Sequence, residues 1–266
     1  MPSGKRAKQQ RRAAASAGGT PPPVRSKGGG RTLVRFSQRT LVVVGVVIVV
    51  LIGLGVGLPL ALSSSGGGAH TGPTGFEPIS KLGKLASPGR LGPLGPEGPP
   101  LESGTDLAPP GSPQPGAVVD GISCEAGEQT LLHIHARLTI FVNGRPARVP
   151  AGVGIAAPQA VQTARGPAVV SGACFSWLHT HAADGIIHIE SPIQRAFTLG
   201  NFFDIWGQPL SRTHVGSASG SVTVLVDGRV WLGDPGEIRL RAHRQIQLEV
   251  GTPLVAQLRI RHWHDL

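Results

Sequence analysis

Acidic residues are absent from the first 39 positions of this 266-residue chain, and lysine is absent from the last 149. The first absence localises the charge. Ten Lys and Arg precede residue 40, and the other 15 basic residues are matched by 15 acidic ones. The net charge of +10 therefore belongs to a tail. No basic stripe interleaved with aromatics occurs, which excludes nucleic acid as the partner class. The missing lysine, in a stretch with 12 Arg and 11 acids, reads as genome composition rather than a binding signal. There are two cysteines and no C-x-x-C spacing, which argues against thiolate metal sites. No G-x-S-x-G elbow accompanies Ser171, Ser176 or Ser191 near the histidines, so acyl transfer has little support. The pairs Gly92–Pro93, Gly95–Pro96 and Gly98–Pro99 keep no sustained three-residue period, so collagen is excluded as well.

What is present falls into four parts. Residues 1–40 form a basic tail. Residues 41–62, LVVVGVVIVVLIGLGVGLPLAL, are uncharged and long enough as a helix to cross a hydrocarbon core of about 30 Å. A cleaved signal peptide usually has a shorter apolar core, of about 7–15 residues, and this run follows a 40-residue lead. Ala61 and Ser63 have the spacing of a small-residue cleavage site, which keeps cleavage as the competing reading, and Arg11–Arg12 stands too far upstream for a twin-Arg signal. The reading is an uncleaved, single-pass plasma-membrane anchor whose first partner is the lipid bilayer. Positive charge before the span sets the N-terminus in the cytoplasm and everything after it outside. Residues 63–117, with 13 Gly and 11 Pro in 55 positions, are expected to be a disordered tether.

Residues 118–266 predict the folded part, a small antiparallel β sandwich or barrel-like domain with one short helix. Asn143–Gly144 and Asp227–Gly228 separate β-rich runs and favour type I′ hairpins. Asp184–Gly185 is read as a third such turn, and Ala242–His243 as the joint of a last strand pair. FTLGNFFDIWG predicts the helix, with Gly207 at its end. Outside the membrane, Cys124 and Cys174 are expected to form a disulfide.

Nine of the ten histidines lie in this last part. His133-Ile134-His135 and His179-Thr180-His181 each place two imidazoles on one face of a strand. His188-Ile189-Glu190 follows across the expected turn. A two-residue turn at 184–185 sets His181 opposite His188 and His179 opposite Glu190. If the strand bearing His133 and His135 lies alongside, five imidazoles and one carboxylate converge. That set suits a transition metal, with Cu or Zn leading. His262 and His264 sit at the chain end, and His70, His214 and His243 are isolated, so none of these five is placed in the site.

HTHAADG is similar to the opening motif of PHP-type metallophosphoesterases, although its Asp-Gly comes two residues too early. Cupins also combine H-x-H, Glu and His, but their Glu follows the H-x-H more closely than Glu190 follows His181. The string HIHARLTIFVNG…VPAGVGI…CFSWLHTHAADGIIHIESP…FTLGNFFDIWGQPLS resembles a family of uncharacterised bacterial and archaeal proteins, many exported or membrane-anchored. The resemblance covers roughly residues 120–250, and HTH-x4-GIIHIESP is its most specific part. Family members commonly carry an acid directly after H-T-H, where this chain has Ala182, with Asp184 two positions on. The resemblance implies an extracytoplasmic His-rich module and no established activity. The leading function is a metal-binding or sensing module. A structural or interaction module at the cell surface, or a metalloenzyme with cupin-like chemistry, are the alternatives.

Overall fold

Period-two alternation builds this domain. The computed structural model describes residues 75–111, 113–263 and 266. The largest sheet has nine strands: β1 (Phe76–Pro78), β2 (Thr105–Asp106), β3 (Leu132–Val142), β4 (Arg145–Arg148), β5 (Leu178–His179), β6 (Ile186–Ser191), β7 (Val222–Val226), β8 (Arg229–Trp231) and β9 (Arg244–Val250). Their hydrogen-bonded order is β1-β8-β7-β9-β3-β6-β5, with β4 beside the C-terminal half of β3 and β2 beside β4. Smaller sheets flank it, and no closed barrel forms among the described residues. Among the described residues the fold is mainly β with one short α-helix, α1 (Leu199–Trp206).

The Asn-Gly and Asp-Gly turns form as the sequence predicts. Val142 pairs with Arg145 and Val226 with Arg229, and both central residues of each turn have positive φ, which the type I′ turn requires. The sheet is mixed, however, where the sequence points to antiparallel pairing alone. β9 runs parallel to β3 along its whole length, and β2 runs parallel to β4. Parallel neighbours need a long crossover, and here roughly a hundred residues separate β3 from β9, so no local signal announces the pair. Ala242–His243 also joins no hairpin. Arg239–Leu240 pairs with Phe197–Thr198, while β9 enters the main sheet.

One face of the sheet is apolar. Ala136, Leu138 and Ile140 of β3, Ile187 and Ile189 of β6, and Ile246, Leu248 and Val250 of β9 are buried in a single cluster with Phe202, Phe203 and Trp206 of α1. Each fully buried aromatic of this kind contributes about 1.5–3 kcal/mol. The helix is fixed at both ends. The Thr198 side chain accepts from the Asn201 N–H, the Asn201 side chain accepts from the Thr198 N–H, and Gly207 closes the last turn at φ 70°, a conformation glycine adopts freely. The Cys124–Cys174 disulfide is present, joining partners 50 positions apart in sequence, and ties Ile122–Glu125 to Cys174–Ser176.

The opposite face is polar yet buried. His135, Arg137 and Thr139 of β3, His188 and Glu190 of β6, and Gln245, Gln247 and Glu249 of β9 all lie on it. Two segments cover it. The C-terminal stretch is laced to β9: Leu258 and Ile260 donate their backbone N–H to the side chains of Gln247 and Gln245. The other cover is the Gly/Pro-rich region. Residues 75–111 and 113–117 lie on the domain instead of forming a tether. Ala86 bonds to Leu254, Glu102 to Ala183, and Leu107 to Arg148. Composition misleads here because the glycines serve close approach. A Cβ on Gly104 would sit within 1.9 Å of the Pro146 carbonyl oxygen, so only glycine lets this segment reach β4.

Residues 63–74, the basic tail and the apolar stretch 41–62 lie outside the described residues. Among the described residues no helix is long and apolar enough to cross a membrane.

Candidate metal centre

Strand β6 lies between β3 and β5 and brings the histidines together. His188 pairs with His135 and Glu190 with His133 on one side; His188 pairs with His179 on the other. The β5–β6 register differs by two residues from the one a tight Asp184–Gly185 turn would give. Residues 180–185 form a longer loop. Asp184 is buried inside it, and its Oδ1 accepts from the Ile186 N–H at 3.3 Å. His181 consequently lies beyond the strand end. Thr180 holds it there, donating its hydroxyl to the Pro150 carbonyl at 2.8 Å and accepting from the Val153 N–H at 3.1 Å.

Six donors form two overlapping sets, His133, His135, His188 and Glu190, and His179, His181, His188 and Glu190; within each, the ligand atoms lie within 4.8 Å of one another. His133 Nε2 is 3.1 Å and His188 Nδ1 3.0 Å from Glu190 Oε1. His135 Nε2 is 3.1 Å from His188 Nδ1, and His179 Nε2 is 3.1 Å from His181 Nε2. Donors held at about 2.1 Å by a tetrahedral ion stand about 3.4 Å apart. The cluster is close to that spacing, so this His/Glu group is positioned to bind a metal ion.

Ring tautomers follow from the hydrogen bonds. His179 Nδ1 is 2.8 Å from the Ser176 carbonyl oxygen and His181 Nδ1 2.6 Å from that of Val169. A carbonyl only accepts, so each Nδ1 carries the hydrogen, and in the neutral rings both Nε2 atoms present lone pairs. These lone pairs face one another at 3.1 Å. Such an arrangement is repulsive unless a proton on one Nε2 or a metal ion beside both offsets it, and two imidazoles sharing a metal ion supply the second.

No family model, curated protein or solved structure matches the chain. The chemistry must therefore be read from the donors and their surroundings. Burial, reinforced by the charge of His188, pulls His179 down to about 3 and His135 down to about 4. Both are neutral ligands at pH 7. His188 behaves oppositely. Burial opposes its charged form, but hydrogen bonds to Glu190 and Glu97 push it up to about 9. In the metal-free protein it is an imidazolium bracketed by two carboxylates.

Two acids at the site carry no motif signal. Glu97 comes from the Gly/Pro-rich cover, with its Oε1 2.5 Å from His188 Nε2. It is the sole acid between residues 78 and 101, a weak mark in retrospect. Glu128 Oε1 lies 3.3 Å from His181 Nε2, and nothing in its sequence neighbourhood singles it out. His243 stands apart, stacked on Trp263 at 4.7 Å. His70 and His264 lie outside the described residues.

Proposed function

We propose that this chain is a membrane-anchored, extracytoplasmic metal-binding or sensing module whose imidazoles and Glu190 take a divalent transition metal, Cu(II) or Zn(II). The facing Nε2 atoms of His179 and His181 carry the reading, because their backbone partners fix both lone pairs toward a common point. The donor chemistry narrows the metal. All six donors are nitrogen or oxygen, both cysteines are locked in the disulfide, and Met1 is the only methionine. Soft thiolate or thioether ligation, which favours Cu(I), has no supply here, whereas imidazole suits Cu(II), Zn(II) and Ni(II). The anchor and its orientation rest on the apolar run 41–62 and the acid-free basic tail before it. A disulfide fits an oxidising compartment on the outer side.

The test is metal content. The full-length chain, exported, disulfide-bonded and purified in detergent, is assayed by mass spectrometry for Cu, Zn, Ni and Fe beside the double variant His179→Ala, His188→Ala. Bound Cu or Zn at or above one equivalent in the wild type, lost from a variant that retains its fold by circular dichroism, supports the reading. A wild type that takes up no metal on reconstitution at neutral pH refutes it and leaves a structural or interaction module.

A further inference from the structure

We infer that the cluster is built for two metal ions bridged by the carboxylate of Glu190. This rests on the metal-binding reading above and adds a stoichiometry and a bridging ligand to it. Topology supplies the first argument. β6 sits between β3 and β5, so its His188 and Glu190 belong to both sets of donors, while each H-x-H belongs to one. One imidazole nitrogen binds one ion, so with His188 on the first ion the second would be held by His179, His181 and Glu190 and keep an open position; a single ion using one set leaves the other H-x-H unligated.

Glu190 supplies the second argument. Its Oε1 serves the first set, 3.1 Å from His133 Nε2 and 3.0 Å from His188 Nδ1. Its Oε2 is buried without a hydrogen-bond partner and lies 3.9 Å from His179 Nε2, toward the second set. A buried carboxylate oxygen left unpaired is costly, and an ion in the second set would satisfy it. Charge is the third argument. Two dications in a mostly buried site call for several anions, and Glu190, Glu97 on His188 and Glu128 on His181 provide three. Glu97 is itself held by the Asp184 carboxyl, which burial and the Glu97 charge push up to about 8, so it shares a proton with that neighbour. Metal ions sharing such a site stand about 3.5–4 Å apart, close enough for two Cu(II) spins to couple.

The experiment loads the full-length chain with Cu(II) supplied as its glycine complex, so that glycine strips loosely held metal. A His262→Ala, His264→Ala background removes the chain's other H-x-H. The expected result is two Cu per chain, with an integrated paramagnetic resonance signal well below two spins. His133→Ala with His135→Ala, and separately His179→Ala with His181→Ala, should each keep one Cu and show one full spin. A wild-type count of one Cu with one full spin overturns the two-ion site. Two Cu with two full spins overturns the Glu190 bridge. No Cu at all overturns the metal-binding reading itself. The wild-type count and spin decide without the variants, so a variant that fails to fold leaves the test intact.

Discussion

Glu102→Gln should make the metal-free protein more stable, and only above acid pH. Glu102 is buried, and neither carboxylate oxygen has a hydrogen-bond partner. Burial pushes its carboxyl up to about 8 from an ordinary 4.5, against the pull of Arg137 and of the Val149 backbone N–H, which approaches it without a well-formed hydrogen bond. The folded chain thus holds a proton that the unfolded chain releases near pH 4.5. Its stability contribution is complete below that pH and falls as pH rises toward 8. At about 1.4 kcal/mol per pH unit, wild type loses roughly 3 kcal/mol by pH 7 and roughly 5 by pH 9. Glutamine keeps the shape and never ionises. Wild type and variant should unfold together at pH 4, with the variant ahead by about 3 kcal/mol at pH 7. With a urea slope of about 2 kcal/mol per molar, that is a midpoint shift of roughly 1.5 M. Urea titrations from pH 4 to 9 on metal-free protein give the comparison. A difference between the two proteins that does not change with pH would refute the reasoning. A variant weaker at pH 9 would show instead that an ionised Glu102 pairs with Arg137.

Reducing the Cys124–Cys174 bond, which closes 50 residues, should lower unfolding free energy by about 4 kcal/mol on the chain-entropy account, read from denaturation with and without dithiothreitol. Gly154→Ala should cost roughly 1–3 kcal/mol and lower metal occupancy. At φ 73° its Cβ would lie 2.3 Å from the Leu178 carbonyl oxygen and 3.2 Å from His179 Cβ; a melt and a metal assay report the two effects. Glu97→Gln should weaken metal binding roughly 10- to 100-fold by freeing the His188 ring, measured by competition with a chromophoric chelator. Because His188 is raised to about 9 when metal-free, metal uptake at pH 7.5 should release about one proton from it. Calorimetry in buffers of different ionisation enthalpy checks that number.

Local pattern made much of the site legible before any coordinates. LHIHARLTIFV and IIHIES alternate with period two, so their histidines and Glu190 share a face whatever the strands pair with. Asn143–Gly144 and Asp227–Gly228 turn as their φ preferences require. The third Asp-Gly misleads because the Asp184 carboxylate is buried and bonds to the Ile186 backbone, which draws six residues into the loop. His181 is therefore reached through Thr180 and Val169 rather than through strand register. Glu97 was illegible for a different reason. Gly and Pro content measures how little apolar surface a segment can bury, and residues 75–111 and 113–117 are held largely by backbone hydrogen bonds and close approach. The parallel β3–β9 pairing is non-local and leaves no mark on either strand.

The polar face of the sheet does not by itself require that segment to fold back. A strand face bearing His135, Arg137, His188, Glu190, Gln245 and Gln247 would be stable in water without any cover. Covering it costs desolvation, and the cover carries its own acids and carbonyl groups to meet that cost. Glu97 reaches His188, the Leu258 and Ile260 backbone meets Arg137 and Gln245, and Val255 meets Gln247. What the cover gains is a low-dielectric site in which the neutral His135 and His179, the charged His188 and the Glu190 carboxylate stay fixed in register. Such a site favours an ion that brings its charge with it over one assembled from protons, because protonation would separate donors that a metal draws together. On the metal-binding reading, the buried and unpartnered Oε2 of Glu190 is where that charge belongs.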